Sequence, residues 1–408
     1  MNNAGLQKQE IQHDRLIHYK EEVTLELQSI LTYWSKYTLD LEHGGFYGSV
    51  SNSNRPDKTA PKGIVLNSRI LWSFSAAFSV SNNSLHLEIA TRAFDYILQH
   101  FIDKEYGGVY WSVDTNGKMM EGRKQIYGLA FCIYGLAEYY KSTKEEIALT
   151  IANQLVDSIE KHSLDKEKGG YIEAFARDWQ PLNDLRLSDK DDNEKKTTNT
   201  HLHIVEAYAN LYQASPTPAL REKIINLLEI FDRYLINRKT KHLNLFMDER
   251  WQIKSTLQSF GHDIEAAWLL QECAEIINYK LYMDHFREHA ILLADGAAQG
   301  IDTDGGMWYE YEPKKEQLIR EKHSWPQAEA MIGFLNAWQL TGNEKYLLHS
   351  LDAWAFVKEH IKDRVNGEWF WGIYDGYEVI EKDKAGFWKC PYHNSRACLE
   401  IMKRIEHG

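Results

Sequence analysis

The sequence predicts an all-α protein folded as an (α/α)6 barrel, twelve helices in a closed ring with short β-hairpins at one rim. Two observations predict it. A glycine–aromatic motif recurs along the chain at a period of about 62 residues. Two amphipathic helical stretches fit into each interval between its copies.

Gly44-Gly45-Phe46-Tyr47 opens the series, followed by Gly107-Gly108-Val109-Tyr110-Trp111 and Gly169-Gly170-Tyr171-Ile172. A glycine-free copy, Leu243-Asn244-Leu245-Phe246-Met247, comes next. Gly305-Gly306-Met307-Trp308-Tyr309 and the degenerate Gly367-Glu368-Trp369-Phe370-Trp371 complete six. Glycine admits the positive φ of a tight turn, and the aromatic residues suit the short strand that leaves it. Between copies, Ile70, Leu71, Phe74, Ala77 and Phe78 share one helix face, as do Ile204, Ala207, Tyr208, Leu211 and Tyr212. An open solenoid would need polar capping repeats. None is distinct, so the ring is expected to close. No Pro/Gly/Ser-rich linker interrupts the pattern, and residues 1–408 read as a single domain. The charged run at 188–196 reads as a solvated loop over one barrel face, with a lid as the sharper alternative.

Composition narrows the function classes. With 47 basic and 59 acidic side chains the net charge is −12, which argues against a nucleic-acid or anionic-membrane surface. No run approaches the roughly 18 apolar residues of a membrane span, and the polar first 20 residues lack a secretory apolar core. Cys132, Cys273, Cys390 and Cys398 form no CxxC pair, so reduced thiols in a cytoplasmic protein are expected. The 13 Trp and 23 Tyr outnumber the 15 Phe. Rings with a polar handle suit sugar faces as well as helical cores.

The helix after each motif should form the inner wall, yet these helices place polar groups where apolar ones belong. Asn199, His203, Glu206 and Asn210 fall at i, i+4, i+7 and i+11, one face. His262 and Glu265 lie at i and i+3. Trp325, Gln327 and Glu329 open another inner helix, Arg69 sits early in a fourth, and His393 shares a face with Arg396. An unsatisfied buried polar group costs about 1–3 kcal/mol, so a cluster from five helices at corresponding rims reads as a site. A metal is not expected. His201 and His203 point about 200° apart on a helix, and HExxH is absent. Neither a phosphate loop, a Rossmann fingerprint nor a GxSxG elbow occurs. What remains is histidines with carboxylates and an arginine, groups able to move protons on a neutral sugar and to stabilise an oxyanion.

These residues carry a resemblance. Leu66-Asn67-Ser68-Arg69-Ile70-Leu71-Trp72, Asn199-Thr200-His201-Leu202-His203 and Ser259-Phe260-Gly261-His262-Asp263-Ile264-Glu265-Ala266 are three of its segments. Trp325-Pro326-Gln327-Ala328-Glu329-Ala330 and Phe387-Trp388-Lys389-Cys390-Pro391-Tyr392-His393-Asn394 complete it. Over essentially the whole chain the sequence resembles the N-acylglucosamine 2-epimerase superfamily, and within it the cellobiose 2-epimerase branch.

The resemblance implies a cofactor-free, metal-free isomerase inverting C2 of the reducing-end glucose of β-1,4-linked disaccharides through an enediolate. His262 and His393 would be the general base and acid. His203 and Arg69 would hold the carbonyl and enediolate oxygens, and Glu265 would orient His262. Asn199, Trp325, Trp388 and Glu329 would bind the sugar. The expected partner is a disaccharide or monosaccharide alone, with no nucleic acid or membrane, and the chain a monomer or weak homodimer. Ser324, before Trp325, departs from the aromatic of some relatives. Free mannose is the nearest rival substrate. A glycoside hydrolase using Glu265 and Glu329 and a non-catalytic binder are the other classes.

Overall fold

The computed structural model describes residues 3–407, with side chains from 12 to 406. Six helices form an inner ring: α2 (Ile64–Ser81), α4 (Ile126–Thr143), α6 (Thr198–Ala214), α8 (Phe260–Ile276), α10 (Ser324–Thr341) and α12 (Tyr392–His407). Each packs against the next, and α12 returns to α2, so the ring closes. The helices α1 (Asn3–Tyr37), α3 (Ser84–Tyr96), α5 (Glu146–His162), α7 (Pro218–Ile230), α9 (Lys280–Ala297) and α11 (Glu344–Phe356) form the outer layer. Inner helices are buried almost all round, as in α8 and α10, whereas an outer helix such as α5 buries one face only. That contrast is the expected signature of a two-layer helical wall.

The rim hairpins close in the same order. The short strand before each inner helix pairs with the strand after the next motif: Lys62–Gly63 with Ser112–Val113, Lys124–Gln125 with Ala174–Phe175, and Lys196–Thr197 with Phe246–Met247. The last, Ala385–Gly386, pairs with the first, Ser49–Val50. An open solenoid would leave those two edges unpaired. Because every inner helix follows a rim strand, all six N-termini face the same end of the barrel.

The motif is a turn spanned by an antiparallel bridge, Leu39 with Phe46 and its equivalents along the chain. In the glycine-free copy the corresponding bridge joins Ile236 and Leu243, and Lys241 takes the positive φ, at 67°. The turn is therefore a backbone requirement that a lysine meets with some strain where glycine is missing.

A second repeat, not legible as a glycine motif, locks each turn to the ring. Asp40 Oδ1 accepts the backbone N–H groups of Glu42 and His43, while its Oδ2 accepts Lys62 Nζ at 2.7 Å. Asp103 with Lys124, Asp165 with Lys196, Asp302 with Lys322 and Asp363 with Lys384 repeat the ion pair. In the glycine-free copy Asn237 and Gln258 stand at the corresponding positions, and Asn237 Oδ1 still caps the turn. The Lys62 and Asp40 side chains are 1% and 3% exposed, so removing one partner strands a buried charge. Lys62→Met is expected to lower unfolding free energy by about 3–5 kcal/mol, read from chemical denaturation. A midpoint unchanged from wild type would show that the pair does not brace the ring.

Candidate active site

The six inner N-termini open onto a cavity of about 680 Å³. Every inner helix contributes to it from its first turns: Arg69 (α2), Tyr127 (α4), Asn199 and His203 (α6), His262 and Glu265 (α8), Trp325 (α10) and His393 (α12). Trp388 enters from the segment before α12. Converging N-termini make this end of the lumen favourable to negative charge on a ligand. The 188–196 loop crosses the mouth, where Lys190 Nζ donates to the Tyr309 hydroxyl and lies over its ring.

Three histidines share one arrangement. Nδ1 of His203 meets Glu206 Oε2 at 2.8 Å, Nδ1 of His262 meets Ser259 Oγ at 2.8 Å, and Nδ1 of His393 meets Glu329 Oε1 at 2.6 Å. In each ring Nε2 has no protein partner among the described residues. An ionised carboxylate only accepts, so Nδ1 carries the hydrogen in His203 and His393, and Nε2 keeps its lone pair. Ser259 can donate or accept, so His262 can present either a lone pair or an N–H. Burial pushes His262 and His393 down to about 3 and lowers His203 as well, which keeps the resting imidazoles neutral. The Trp325 ring lies against both His262 and His393, with ring centres 4.9 and 5.5 Å apart.

Behind the histidines lies a charge hub that sequence reasoning did not foresee. Arg396 Nη2 donates to Glu265 Oε1 and Glu329 Oε1, each at 2.7 Å, and Nη1 donates to Glu206 and Tyr392. Its guanidinium also faces the Tyr392 and Trp268 rings. Burial and the neighbouring Glu329 charge raise the Glu265 carboxyl to about 8, while Arg396 and His393 hold Glu329 low against its own burial. One arginine between three carboxylates thus leaves Glu265 the most readily protonated of the three.

Two expectations are corrected. Glu265 makes no hydrogen bond to His262. Its Oε1 is taken by Arg396 from across the ring, and the orienting partner of His262 is Ser259. Glu329, expected on the sugar-binding wall, lies behind it: His393, Arg396 and the Trp268 Nε1–H occupy its oxygens, and it is not among the residues lining the cavity. His201 turns away from the lumen, with Nδ1 on the Thr197 carbonyl and Nε2 accepting the Tyr171 N–H.

Arg69 is 3% exposed. Its Nη2 donates to the Tyr127 hydroxyl at 2.7 Å and its Nη1 to Cys390 Sγ at 3.7 Å, and the guanidinium lies over the Phe131 ring. No carboxylate pairs with it among the described residues. Arg69 Nε, Asn199 Oδ1, Glu265 Oε2 and Trp371 Nε1 are buried without a protein hydrogen bond, and all four residues line the cavity. Such groups suit a ligand rich in hydroxyls. Tyr127, Tyr309 and Trp371 were missed because aromatic residues at these spacings read equally well as core.

The sequence model of the N-acylglucosamine 2-epimerase (GlcNAc 2-epimerase) family matches residues 45–397. The chain is 43% identical to a cellobiose 2-epimerase of Bacteroides fragilis, over 94% of this chain and 98% of that protein. A solved cellobiose 2-epimerase of Spirochaeta thermophila superposes with a TM-score of 0.90 at 38% identity, covering 97% of this chain and 98% of the other. A D-mannose isomerase of Marinomonas mediterranea is 22% identical, over 93% of this chain and 96% of its own length.

Proposed function

The chain belongs to the N-acylglucosamine 2-epimerase family and is a carbohydrate epimerase, and from that premise we propose that it inverts C2 of the reducing-end glucose of β-1,4-linked disaccharides, cellobiose foremost. The observation that carries the mechanism is the pair of neutral imidazoles, His262 and His393, each anchored through Nδ1 with Nε2 left to the cavity. In the open-chain sugar one imidazole takes the C2 proton. The electron pair moves onto the C1 carbonyl oxygen and an enediolate forms. Rotation about C2–C3 then exposes the other face. The second imidazole, taking up a proton from solvent against the enediolate's negative charge, passes it to C2, and the first releases the proton it took to solvent.

Arg69, a buried cation with no anionic partner among the described residues, is where that enediolate charge is neutralised. His203 Nε2 lies on the same wall as a further hydrogen-bonding group for the sugar oxygens. His393 is the imidazole better able to hold a proton, because Glu329 would then face an imidazolium. Glu265, the most readily protonated of the three carboxyls, offers its unpaired Oε2 to a sugar hydroxyl. Trp325 and Trp388 supply stacking faces and Asn199 a polar contact. Sequence identity favours the disaccharide over free mannose.

Hydrolysis is disfavoured by geometry. Glu265 and Glu329 converge on one arginine nitrogen, and only Glu265 lines the cavity, so they do not flank a glycosidic bond. No helix among the described residues is long and apolar enough to cross a membrane. Four buried, unpaired cysteines support a cytoplasmic setting.

The test is cellobiose in D2O with EDTA-treated protein, followed by NMR. Glucosyl-mannose carrying deuterium at C2 is the expected product. Glucose release would overturn epimerisation in favour of hydrolysis. Conversion of free mannose without conversion of cellobiose would overturn the disaccharide assignment.

A further inference from the structure

On the outer wall, away from the cavity, three donor atoms converge. His285 and His289 lie at i and i+4 on α9 and share one face. Asp232 comes from the wide turn Phe231–Leu235 that ends α7. Asp232 Oδ1 lies 2.6 Å from His285 Nε2 and 2.7 Å from His289 Nε2, and the two Nε2 atoms are 3.2 Å apart. His289 is nearly buried, whereas His285 and Asp232 are about one-third exposed. Arg238 Nη2 also reaches Asp232 Oδ1 and lies 3.4 Å from His289 Nε2.

This arrangement is over-subscribed for hydrogen bonding. Two imidazole nitrogens and a guanidinium compete for one carboxylate oxygen. If both imidazoles donated to it, their hydrogens would crowd at the 3.2 Å Nε2–Nε2 approach. A cation accepting all three lone pairs removes the conflict. We propose that Asp232, His285 and His289 form a binding site for one divalent transition-metal ion, Zn²⁺ foremost, which staples the end of α7 to α9.

Two imidazoles and a carboxylate are a Zn²⁺ donor set, with ligand bonds of about 2.0–2.2 Å and donors therefore about 3.3 Å apart in a tetrahedron. Small rotations of the partly exposed His285 and Asp232 side chains open the observed triangle to that size. The fourth position falls to water. Arg238 is half exposed and also donates Nη1 to the Asp232 carbonyl at 3.1 Å. It can release Oδ1 without leaving the turn, and Asp232 Oδ2 has no other partner among the described residues. The Glu265, Glu329 and His393 cluster is not equivalent, because the Arg396 guanidinium already sits between its carboxylates.

The experiment is a calorimetric titration of EDTA-treated, dialysed full-length protein with ZnCl2, with CoCl2 in parallel to read visible d–d bands. One equivalent bound and a rise in melting temperature are expected. The His285→Ala/His289→Ala protein should bind at least about 100-fold more weakly, lose the cobalt bands and keep its epimerase turnover, since none of these residues lines the cavity. Asp232→Asn, which keeps the shape and removes the charge, should weaken binding in the same direction. The His393→Ala protein should still bind one equivalent. No heat and no cobalt spectrum with folded wild type would overturn the site, as would undiminished binding in the double variant.

Discussion

His393→Ala is expected to lower kcat on cellobiose by about 10²–10⁴-fold, the usual contribution of a positioned proton-transfer group, while the protein stays folded. Stability survives because Glu329, the partner of the imidazole, keeps Arg396 and the Trp268 N–H. His262→Ala should cost as much, since the Ser259 hydroxyl left behind is no proton acceptor near neutral pH. Deuterium incorporation adds a second reading. If the imidazoles serve opposite faces of C2, either single variant stops epimerisation, yet the surviving ring can still exchange the C2 hydrogen of one epimer. Near-wild-type turnover in either variant would remove that histidine from the reaction. Burial holds both rings at about 3, so falling pH should not silence them near the ordinary histidine value of about 6.5. They stay neutral bases until well below it, and the acid limb of the wild-type profile should be displaced downward accordingly.

Arg69→Met is the second large effect and separates function from stability. The guanidinium is buried against Tyr127, Cys390 and aromatic faces, with no carboxylate among the described residues to balance it. An oxyanion contact of this kind is worth about 10²–10³ in kcat, so turnover should fall by that much. Replacing an unpaired buried charge with an apolar side chain of similar length should leave stability unchanged or raised. Loss of activity with an unchanged or higher melting temperature is the expected pair of readings. If stability falls with activity, the arginine is a structural strut. If kcat holds and only KM rises, it binds ground-state sugar and not the enediolate.

Much of this molecule was legible in one sequence, for specific reasons. The turns at Gly44, Gly107, Gly169, Gly305 and Gly367 all need a positive φ, and glycine is the residue that adopts it freely. Polar residues on helices otherwise buried all round marked the lumen, because unsatisfied polar groups are too costly to bury without a purpose. The Asp–Lys ion pairs behind the turns escaped notice because Asp40 and Lys62 are far apart in sequence and each, read alone, is an ordinary surface residue.

The misplacements at Glu265 and Glu329 share one cause. Spacing of i and i+3 brings two side chains within reach on one helix, but it says nothing about a third group arriving from another. Arg396 lies 131 residues from Glu265 in sequence and takes its carboxylate through a charged hydrogen bond, which outweighs a contact to a neutral imidazole. Glu329 was drawn behind His393 by the same guanidinium.

The sequence by itself determined what is local or periodic: six units, two helices in each, turns with positive φ, and histidines, an arginine and carboxylates on the inner face. Those properties depend on backbone sterics and on the helical repeat, which act over a few residues. Only the tertiary structure decided which charge meets which. Closing the ring sets α12 beside α2 and brings α6, α8, α10 and α12 to a single buried arginine. In that dry centre, burial and neighbouring charge, not residue type, decide that the Glu265 carboxyl is raised, that the histidines are neutral and that Arg69 has no counter-ion among the described residues.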